Sequence, residues 1–334
     1  MRVAVVGAGS WGTALARLAA ARAEVRLWAR EPEVVAAVRE KGENSLFLPG
    51  HPLPAGVSCT SDLAEALEGA EVVLMAVPSH GFRAVLRAAA GHLPGAAPVI
   101  SVTKGIEQGT LKRMTEIVLE ETGADPGRVG VLTGPNLARE IADGQPAATV
   151  VAMSDEERAL AVQALFMGPT LRVYTNPDVV GCEAAGALKN VMAIAAGMAH
   201  GLGYGDNSTA ALMTRALAEL TRLGVAMGGR PLTFAGLAGM GDLVATCISP
   251  HSRNRQVGVA LGRGRRIDEI VAEMQMVAEG VRTTEAVLAL AGRHGIEMPL
   301  AAMVGAVLYE NRNPADMVAG LMGRPAKAEL QGID

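Results

Sequence analysis

Residues 1–16 read MRVAVVGAGSWGTALA, and this stretch decides the fold of the first half of the chain. Val3–Val6 is a short apolar run typical of a strand buried on both faces. Gly7, Gly9 and Gly12 follow it with the spacing G-x-G-x-x-G, and an Ala-rich helix is predicted over 13–21. A second strand is predicted over 24–28. Glycines in this strand–turn–helix context favour a dinucleotide-binding turn over a purely structural glycine turn.

Each glycine of the turn has a physical role. Gly7 permits the tight turn, Gly9 lets the backbone approach a diphosphate, and Gly12 lets the helix pack on the strand. The diphosphate then meets free N–H groups at the positive end of the helix dipole. After the second strand, Arg30 stands where an acid that bonds the ribose hydroxyls of NAD is common, with Glu31 next. The sequence therefore predicts NADP or NAD as cofactor, with NADP preferred.

Composition limits the classes of protein that this chain can belong to. Its 334 residues suffice for two domains, half of them are hydrophobic, and the formal net charge is -4. An acidic balance argues against a nucleic-acid partner. The Arg263, Arg265 and Arg266 cluster is interpreted as a solvated loop. Three distant cysteines, no basic apolar leader and no apolar stretch of about 20 residues together predict a cytoplasmic protein without a membrane span.

Short apolar runs alternate with helical segments up to about residue 175. Beyond the first two strands, runs are predicted at the following positions: 71–77, 98–102, 129–132, 148–152 and 171–174. This alternation is the signature of an α/β Rossmann-like, doubly wound parallel sheet. It stops at Asn176–Asp178, after which the chain is predicted to be all helical. We therefore expect a dinucleotide-binding domain over 1–176 and an all-helical substrate domain over 177–334.

Polar residues follow several predicted strands, at the edge where ligands bind in open α/β sheets. His80 follows the 71–77 run; it is a candidate acid, although helix capping or edge packing is favoured. Lys104 follows the 98–102 run, and Gly134 and Asn136 follow the 129–132 run. These residues are predicted to share the crevice of the glycine turn.

Lys189 is the strongest candidate for catalysis. It lies with Asn190 inside a predicted helix over 178–199 that is apolar on every side. An amine there reaches a cleft, finds a partner or loses its proton, unless its stem carries it to solvent. The chain has five lysines against twenty-five arginines, so arginine is its usual cation. A buried lysine thus indicates a need for a titratable amine.

Two further segments of the helical half carry candidate site residues. Residues 236–241 are rich in glycine and are predicted to form a loop that delivers Asp242, with Thr246 one turn later. Residues 249–255 are predicted to begin a helix whose N–H groups and Arg253 form a phosphate site. The alternative is a surface helix cap.

Taken in order, these segments resemble the bacterial NAD(P)-dependent glycerol-3-phosphate dehydrogenase family. The matching segments are GAGSWGTALA, VPSH, SVTKGIE, TGPN, GALKNVMAIAAGM, GLAGMGDLVATC, SRNR and VAEGVRT. The resemblance implies reversible reduction of dihydroxyacetone phosphate to sn-glycerol 3-phosphate, which supplies glycerophospholipid synthesis. It also implies a Rossmann domain joined to a helical substrate domain, and we expect a homodimer.

The resemblance also implies roles for individual residues. Lys189 is the proton donor and acceptor. The substrate residues are Lys104, Gly134, Asn136, Lys189, Asn190, Asp242, Thr246, Ser252, Arg253 and Asn254. The cofactor residues are Gly7, Gly9, Ser10, Trp11, Gly12, Arg30, Lys104, Ala138, Arg253, Val277 and Glu279. No metal is implied. Trp11 replaces a usual Phe or Tyr, and Asn136 replaces a common Ser or Thr.

Two other functions fit parts of the same pattern. A hydroxyacid or ketopantoate-type reductase on this architecture would bind a carboxylate in place of a phosphate. A regulator that senses NADP would keep the glycine turn without needing Lys189, Asp242 and Arg253 together. A panel of substrates separates the first alternative, and cofactor binding without turnover would support the second.

Overall fold

The computed structural model describes residues 1–274, 278–326 and 328. By contacts between residues the chain divides into two units. The first unit contains Met1–Thr103 and Arg113–Val179, and the second contains Lys104–Lys112 and the chain from Val180 onward. The sequence placed the division at residue 176, three residues earlier, and assigned 104–112 to the first domain. Instead, this short segment groups with the helical part of the chain.

The first unit is built on one eight-stranded sheet in the order β3-β2-β1-β4-β5-β6-β7-β8. The strands are β1 Arg2–Val6, β2 Glu24–Trp28, β3 Val57–Thr60, β4 Val72–Met75, β5 Val99–Ser101, β6 Val129–Thr133, β7 Ala147–Met153 and β8 Leu171–Asn176. The order 3-2-1-4-5-6 is that of a doubly wound dinucleotide-binding sheet. The predicted fold class is therefore confirmed, while β3 is a strand that the sequence analysis did not identify.

The last two strands, β7 and β8, depart from the predicted parallel arrangement. β7 runs antiparallel to β6 and parallel to β8. A parallel connection must carry the chain back to the opposite edge of the sheet, usually on a helix. The helix between β6 and β7, Ala138–Ala142, has only five residues and is too short for that return. The chain therefore reverses direction at the carboxyl edge of β6.

Helices cover both faces of this sheet. They are α1 Ser10–Ala19, α2 Pro32–Lys41, α3 Leu63–Leu67, α4 Ser79–Ala89, α5 Met114–Thr122, α6 Ala138–Ala142 and α7 Glu156–Phe166. Alternate residues of β1 enter different cores: Val3 and Val5 pack with the α1, α2 and α7 side. Ala4 and Val6 pack with the α3, α4 and α5 side. A strand buried on both faces reads as a continuous apolar run, as the sequence indicated.

The second unit contains helices in its described residues and no strand. They are α8 Val179–Gly201, α9 Asp206–Ala226, α10 Pro231–Phe234, α11 Asp242–Ile248, α12 Arg253–Gly262, α13 Ile267–Glu273, α14 Glu279–His294, α15 Pro299–Glu310 and α16 Pro314–Met322. α8 is buried on all sides, as expected for a core helix. A Cβ on Gly197 would lie 2.2 Å from Arg255 O, so its glycine permits the close crossing of α8 and α12.

Two segments have the length and hydropathy of a membrane-spanning helix. They are Val179–Gly201, whose apolar window is 89% buried inside the protein, and Pro231–Ile248, which is 44% buried. The first is the core helix α8, and core helices commonly pass the same test. The second consists of a short α-helix, a π-helical turn and a further α-helix, and so is not one regular helix. These segments are therefore only weak grounds for a membrane span.

Candidate active site

The glycine turn of the first unit has the geometry that its spacing predicts. Gly7 has φ +118°, and a Cβ there would lie 2.5 Å from Ala76 O. A Cβ on Gly12 would lie 1.9 Å from Gly7 O, so this glycine permits α1 to pack on the turn. A Cβ on Gly9 would meet nothing within 4 Å. Gly7 and Gly12 thus serve packing, while Gly9 leaves the backbone open to a ligand.

The start of α1 provides the anion site that a dinucleotide needs. Gly9 is the N-cap residue, no side chain caps the helix, and the first turn carries no acidic residue. Free N–H groups at such an end favour a diphosphate. Besides Arg2 Nε, the buried polar atoms of this unit that have no hydrogen-bond partner among the described residues are Trp11 Nε1, Thr133 Oγ1 and Asn136 Oδ1. The donor set therefore fits a nicotinamide dinucleotide.

The other predicted residues of the first unit lie after its strands. Arg30 follows β2; its side chain is 79% exposed, and Arg30 Nη2 lies 2.7 Å from Glu31 Oε1. Gly134, with φ +140°, follows β6. Asn136 Nδ2 donates to Thr149 Oγ1 at 3.0 Å, which fixes this side chain against β7. Ala138 is the first residue of α6.

His80 lies in the first turn of α4 and is exposed. The N-cap residue of this helix is Pro78, and no side chain caps it, so His80 stands at a helix start without the capping role that was favoured.

The second unit brings together three residues that the sequence singled out far apart in the chain. Lys189 Nζ donates to Asp242 Oδ1 at 2.5 Å and to Thr246 Oγ1 at 2.5 Å. The Thr246 hydroxyl in turn donates to the backbone oxygen of Asp242 at 2.6 Å. The side chains of Lys189 and Asp242 are 6% and 2% exposed. The lysine is thus held deep in the unit by defined partners, and its stem does not carry it to solvent.

A second amine contacts the same carboxylate. Lys104 Nζ lies 2.6 Å from Asp242 Oδ2, and the Lys104 side chain is 17% exposed. Lys104 belongs to the short segment that groups with the helical unit. Each oxygen of Asp242 therefore binds one lysine, so that two amines share one carboxylate.

The surroundings of Lys189 lower the pKa of its amine to about 8. Burial is the main cause, because it disfavours the ammonium, and Lys104 lowers the pKa further by charge repulsion. Attraction by Asp242 acts in the opposite direction. An amine with a pKa near 8 can both donate and accept a proton close to neutral pH.

A chain of buried amides supports the Lys104 backbone. Asn190 Nδ2 donates to Lys104 O at 3.0 Å, and Asn254 Nδ2 donates to Asn190 Oδ1 at 3.0 Å. Gly280 N donates to Asn254 Oδ1 at 2.8 Å. A Cβ on Gly280 would lie 2.6 Å from Asn190 O, so the close approach requires glycine. No local pattern in the sequence marks Gly280, because only the three-dimensional contact shows its role.

The segment before Asp242 differs from its predicted loop. Leu237–Gly241 forms a π-helical turn that continues directly into α11, whose first residue is Asp242. A Cβ on Gly239 would lie 2.1 Å from Phe234 O, so the absence of side chains lets this turn wind tightly against α10. Glycine content was therefore a sign of close packing and not of an open loop. Such π turns often occur at functional sites.

Residues 252–254 begin a helix, as predicted. Ser252 is the N-cap of α12, and its Oγ accepts from Arg255 N at 3.3 Å. Arg253 is the first helical residue and is exposed. Both the phosphate-site and the helix-cap interpretation are compatible with this arrangement, since capping by Ser252 leaves Arg253 at the surface.

The remaining predicted residues have simple positions. Glu279 is the first residue of α14, while Val277 lies outside the described residues. Arg265 and Arg266 pair with Glu273 and Asp268 on the surface, as expected of a solvated loop. Among the described residues, no group of His, Cys, Asp or Glu could hold a metal ion.

Comparison with known proteins links both units to one enzyme family. Residues 2–159 match the model of the NAD-dependent glycerol-3-phosphate dehydrogenase N-terminus, and residues 178–319 match that of the C-terminus. The chain is 55% identical over 322 residues to glycerol-3-phosphate dehydrogenase [NAD(P)+] 2 of Sphingopyxis alaskensis, covering 96% of each chain. It is 51% identical to the Moorella thermoacetica enzyme named glycerol-3-phosphate dehydrogenase [NAD(P)+], covering 99% of this chain and 98% of the other.

Solved structures agree with these matches. The glycerol-3-phosphate dehydrogenase of Coxiella burnetii is 38% identical and has a TM-score of 0.93, covering 97% of this chain and 99% of the other. A ketopantoate reductase of Ralstonia eutropha has a TM-score of 0.61 at 18% identity, covering 95% of this chain and all of the other. The second likeness concerns the fold alone.

Proposed function

Because the chain belongs to the NAD-dependent glycerol-3-phosphate dehydrogenase family and is an NAD(P)-dependent oxidoreductase, we propose that it reduces dihydroxyacetone phosphate reversibly to sn-glycerol 3-phosphate. In the cell this reaction would supply glycerophospholipid synthesis. The cofactor, when bound, supplies the hydride. The chain itself must hold both ligands and must deliver or remove a proton at the substrate oxygen.

The observation that carries the proposal is the buried amine of Lys189. An ammonium has three N–H groups. Asp242 and Thr246 use two of them, and no hydrogen bond to a described residue uses the third. Hydride addition at C2 builds negative charge on the carbonyl oxygen, and a donor aimed at that oxygen stabilises it. We therefore assign Lys189 as the group that donates the proton in reduction and accepts it in oxidation.

Asp242 and Lys104 tune this amine. Asp242 orients Lys189 and favours its charged form, whereas Lys104 disfavours it. Because Asp242 raises the Lys189 pKa and Lys104 lowers it, the pKa stays close to the pH at which proton transfer in both directions is possible. Lys104, which is more exposed than Lys189, is also assigned to the substrate and the cofactor.

Asn190 and Asn254 act on substrate geometry through Lys104. Their amides hold the Lys104 backbone and the first turn of α14 by successive hydrogen bonds. These contacts use both Asn190 Nδ2 and Asn254 Nδ2. We therefore assign the two side chains a positioning role, in addition to the substrate contacts that the family resemblance implied.

The substrate phosphate is assigned to the start of α12. Arg253 is an exposed residue on the first turn of a ten-residue helix capped by Ser252. Arginine matches phosphate oxygens in a bidentate manner, and the helix dipole adds to the attraction. Gly134 and Asn136 in the first unit are assigned to the substrate as well.

The cofactor assignments rest on the glycine turn of the first unit, whose free N–H groups fit a dinucleotide. Gly9, Ser10 and Trp11 would hold the diphosphate side, on the turn that Gly7 and Gly12 shape. Arg30 would contact a 2′-phosphate, so NADP is the preferred cofactor. Ala138, Val277 and Glu279 complete the proposed set, with Arg253 shared with the substrate. We further propose that the enzyme acts in the cytoplasm as a homodimer.

The proposed function is tested by steady-state oxidation of NADPH and NADH with dihydroxyacetone phosphate as substrate. Ketopantoate and small 2-oxo acids serve as the comparison panel. We expect turnover with dihydroxyacetone phosphate and a kcat/KM for it at least about a hundredfold above those for the carboxylates, since a site built for one anion leaves its groups unpaired with the other. Faster turnover of a carboxylate substrate would overturn the assignment, and binding without any turnover would favour a sensor.

A further inference from the structure

We propose that Asn44 is a positioning residue that fixes the direction of the Gly9 N–H in the dinucleotide-binding turn. Asn44 lies in the loop of residues 43–52 between α2 and β3, whose ends are joined by an antiparallel bridge between Glu43 and Pro52. No motif in the sequence singled out this loop. The proposal requires only that the chain binds a dinucleotide, so it stands apart from the substrate assignment.

Asn44 is fully buried, and each polar atom of its side chain is used. Nδ2 donates to Ala8 O at 2.7 Å and to Thr13 Oγ1 at 2.8 Å. Oδ1 accepts from Phe47 N at 3.1 Å. Ala8 lies between Gly7 and Gly9 in the glycine turn, and Thr13 lies in the first turns of α1. One side chain therefore ties the loop to both parts of the turn.

The contact with Ala8 determines how the next amide points. Ala8 O accepts from Asn44 and also from Thr13 Oγ1, at 3.3 Å. The peptide between Ala8 and Gly9 is planar and trans, so its C=O and its N–H point in opposite directions. Holding Ala8 O toward the 43–52 loop therefore turns the Gly9 N–H away from that loop. This plane rotates about ψ of Ala8 and φ of Gly9, and glycine leaves the second of these angles almost unrestricted, so the hydrogen bonds to Ala8 O hold a plane that would otherwise turn more freely.

The 43–52 loop is itself anchored at several points, so it can act as a fixed support. Ser10 Oγ donates to Phe47 O at 2.6 Å, and Arg17 Nε donates to Pro52 O at 3.0 Å. His51 Nε2 lies 2.8 Å from Asp143 Oδ1 at the end of α6. These contacts connect the loop to α1 on one side and to α6 on the other.

The chemistry of the position favours asparagine. Two donors and one acceptor are needed in a site closed to water, and only an amide of this length supplies them. Aspartate has the same shape but cannot donate at neutral pH. Without Asn44, Thr13 Oγ1 would lose a donor, and Ala8 O would keep only its longer hydrogen bond.

The test is cofactor affinity in the variants Asn44→Ala and Thr13→Val, measured by quenching of Trp fluorescence and by competition. NADPH and NADH are titrated first. ADP-ribose, which retains the diphosphate, and 2′-AMP, which lacks it, are then compared as fragments. We expect Kd for NADPH, NADH and ADP-ribose to rise about tenfold in Asn44→Ala, and by less in Thr13→Val, in line with the loss of about one hydrogen bond to a charged ligand. Kd for 2′-AMP should change by less than about twofold.

Val38→Ala is the matched control, because Val38 is a buried residue of α2 without a contact to the glycine turn in the described hydrogen bonds. It should lower Tm without altering any Kd. Thr13→Val keeps the shape of the side chain and remains informative if Asn44→Ala does not fold. Unchanged Kd for ADP-ribose in a folded variant would overturn the proposal. An equal loss for 2′-AMP and ADP-ribose would also overturn it, since that would show a general loosening of the unit.

Discussion

Lys189 and Asp242 form a buried ion pair in which Nζ lies 2.5 Å from Oδ1 and neither side chain is more than 6% exposed. Removing two charges from water is costly, and here the carboxylate also serves Lys104. Burial and Lys104 lower the Lys189 pKa and Asp242 raises it, and together they leave this pKa at about 8, below the ordinary value of 10.5. Two states of the amine are thus accessible near neutral pH, which is what a reversible proton transfer requires.

The first prediction concerns the pH dependence of the two reaction directions. Reduction needs the Lys189 ammonium, so kcat/KM for dihydroxyacetone phosphate should fall as pH rises through about 8. Oxidation needs the neutral amine, so kcat/KM for glycerol 3-phosphate should rise over the same range. Parallel profiles in both directions would show that another group sets the pH dependence.

Two variants should move this transition in opposite directions. Asp242→Asn removes the charge that raises the Lys189 pKa, so the transition should shift to lower pH. Lys104→Gln removes a charge that lowers it, so the transition should shift to higher pH. Both variants should also lower kcat/KM, because Asp242 and Lys104 are assigned to the substrate. That loss lowers the whole pH profile, whereas the electrostatic effect on Lys189 shifts the profile along the pH axis, so the two effects can be separated. Shifts in the same direction would contradict the assigned roles.

The second prediction concerns the choice of coenzyme. Arg30→Asp should move the ratio of kcat/KM values from NADPH toward NADH, because it replaces a partner for a 2′-phosphate by one for ribose hydroxyls. Glu31→Gln is the matched variant: it releases Arg30 from an exposed pair and should favour NADPH by a few-fold at most. An unchanged ratio in Arg30→Asp would mean that Arg30 does not contact the adenosine end.

The third prediction concerns the phosphate of the substrate. Arg253→Ala should raise KM for dihydroxyacetone phosphate about 10- to 100-fold, the effect of losing a hydrogen bond of about 1.5–3 kcal/mol to a charged group. A lower kcat should accompany it if phosphate binding positions the carbonyl. Unphosphorylated dihydroxyacetone provides the control and should respond little. Equal losses on both substrates would place Arg253 away from the phosphate.

The fourth prediction concerns stability and a carboxyl group outside the site. Glu219 on α9 is 3% exposed. Its Oε1 accepts from Leu300 N at 2.8 Å and its Oε2 from Ala301 N at 3.3 Å, at the start of α15. Burial raises its pKa from 4.5 to about 7, against the opposing effect of these N–H groups and of nearby arginines. The protonated form is therefore favoured in the folded state.

The sign of the effect follows from this raised pKa. The stabilisation from protonated Glu219 is fully present below pH 4.5 and is lost as pH rises through about 7, by about 3 kcal/mol in all. Glu219→Gln should remove this dependence. The measurement is the difference in unfolding free energy between wild type and variant from pH 5 to pH 8.5. A constant difference over that range would contradict the raised pKa.

The sequence predicted those parts of the protein that local patterns determine. The apolar run of β1, the spacing of Gly7, Gly9 and Gly12, and the all-apolar surroundings of Lys189 each indicated their structural setting. The sequence did not reveal that β7 runs antiparallel, since that follows from the length of α6. It also read the glycines before Asp242 as a loop, because close packing on Phe234 depends on a contact that no local pattern carries.

The same reason explains what sequence analysis missed around the site. Asn44 lies 36 residues from Ala8 in the chain, and Asn254 lies 64 residues from Asn190. An asparagine in a turn is common, so Asn44 attracts no notice without its partners. Asn190 and Asn254 were expected at the substrate, but the hydrogen bond between them was not. The burial of an amide with all its hydrogen bonds satisfied becomes visible only in the folded chain.

The central claim, that Lys189 transfers the proton, is tested most directly by the Lys189→Met variant. Its kcat for dihydroxyacetone phosphate reduction is measured at saturating NADPH, with the NADPH Kd determined by fluorescence on the same sample. We expect a loss of about 10²–10⁴-fold in kcat, the usual contribution of a positioned acid, with Kd changed by no more than about twofold. A kcat within a few-fold of wild type, at unchanged Kd, would contradict it.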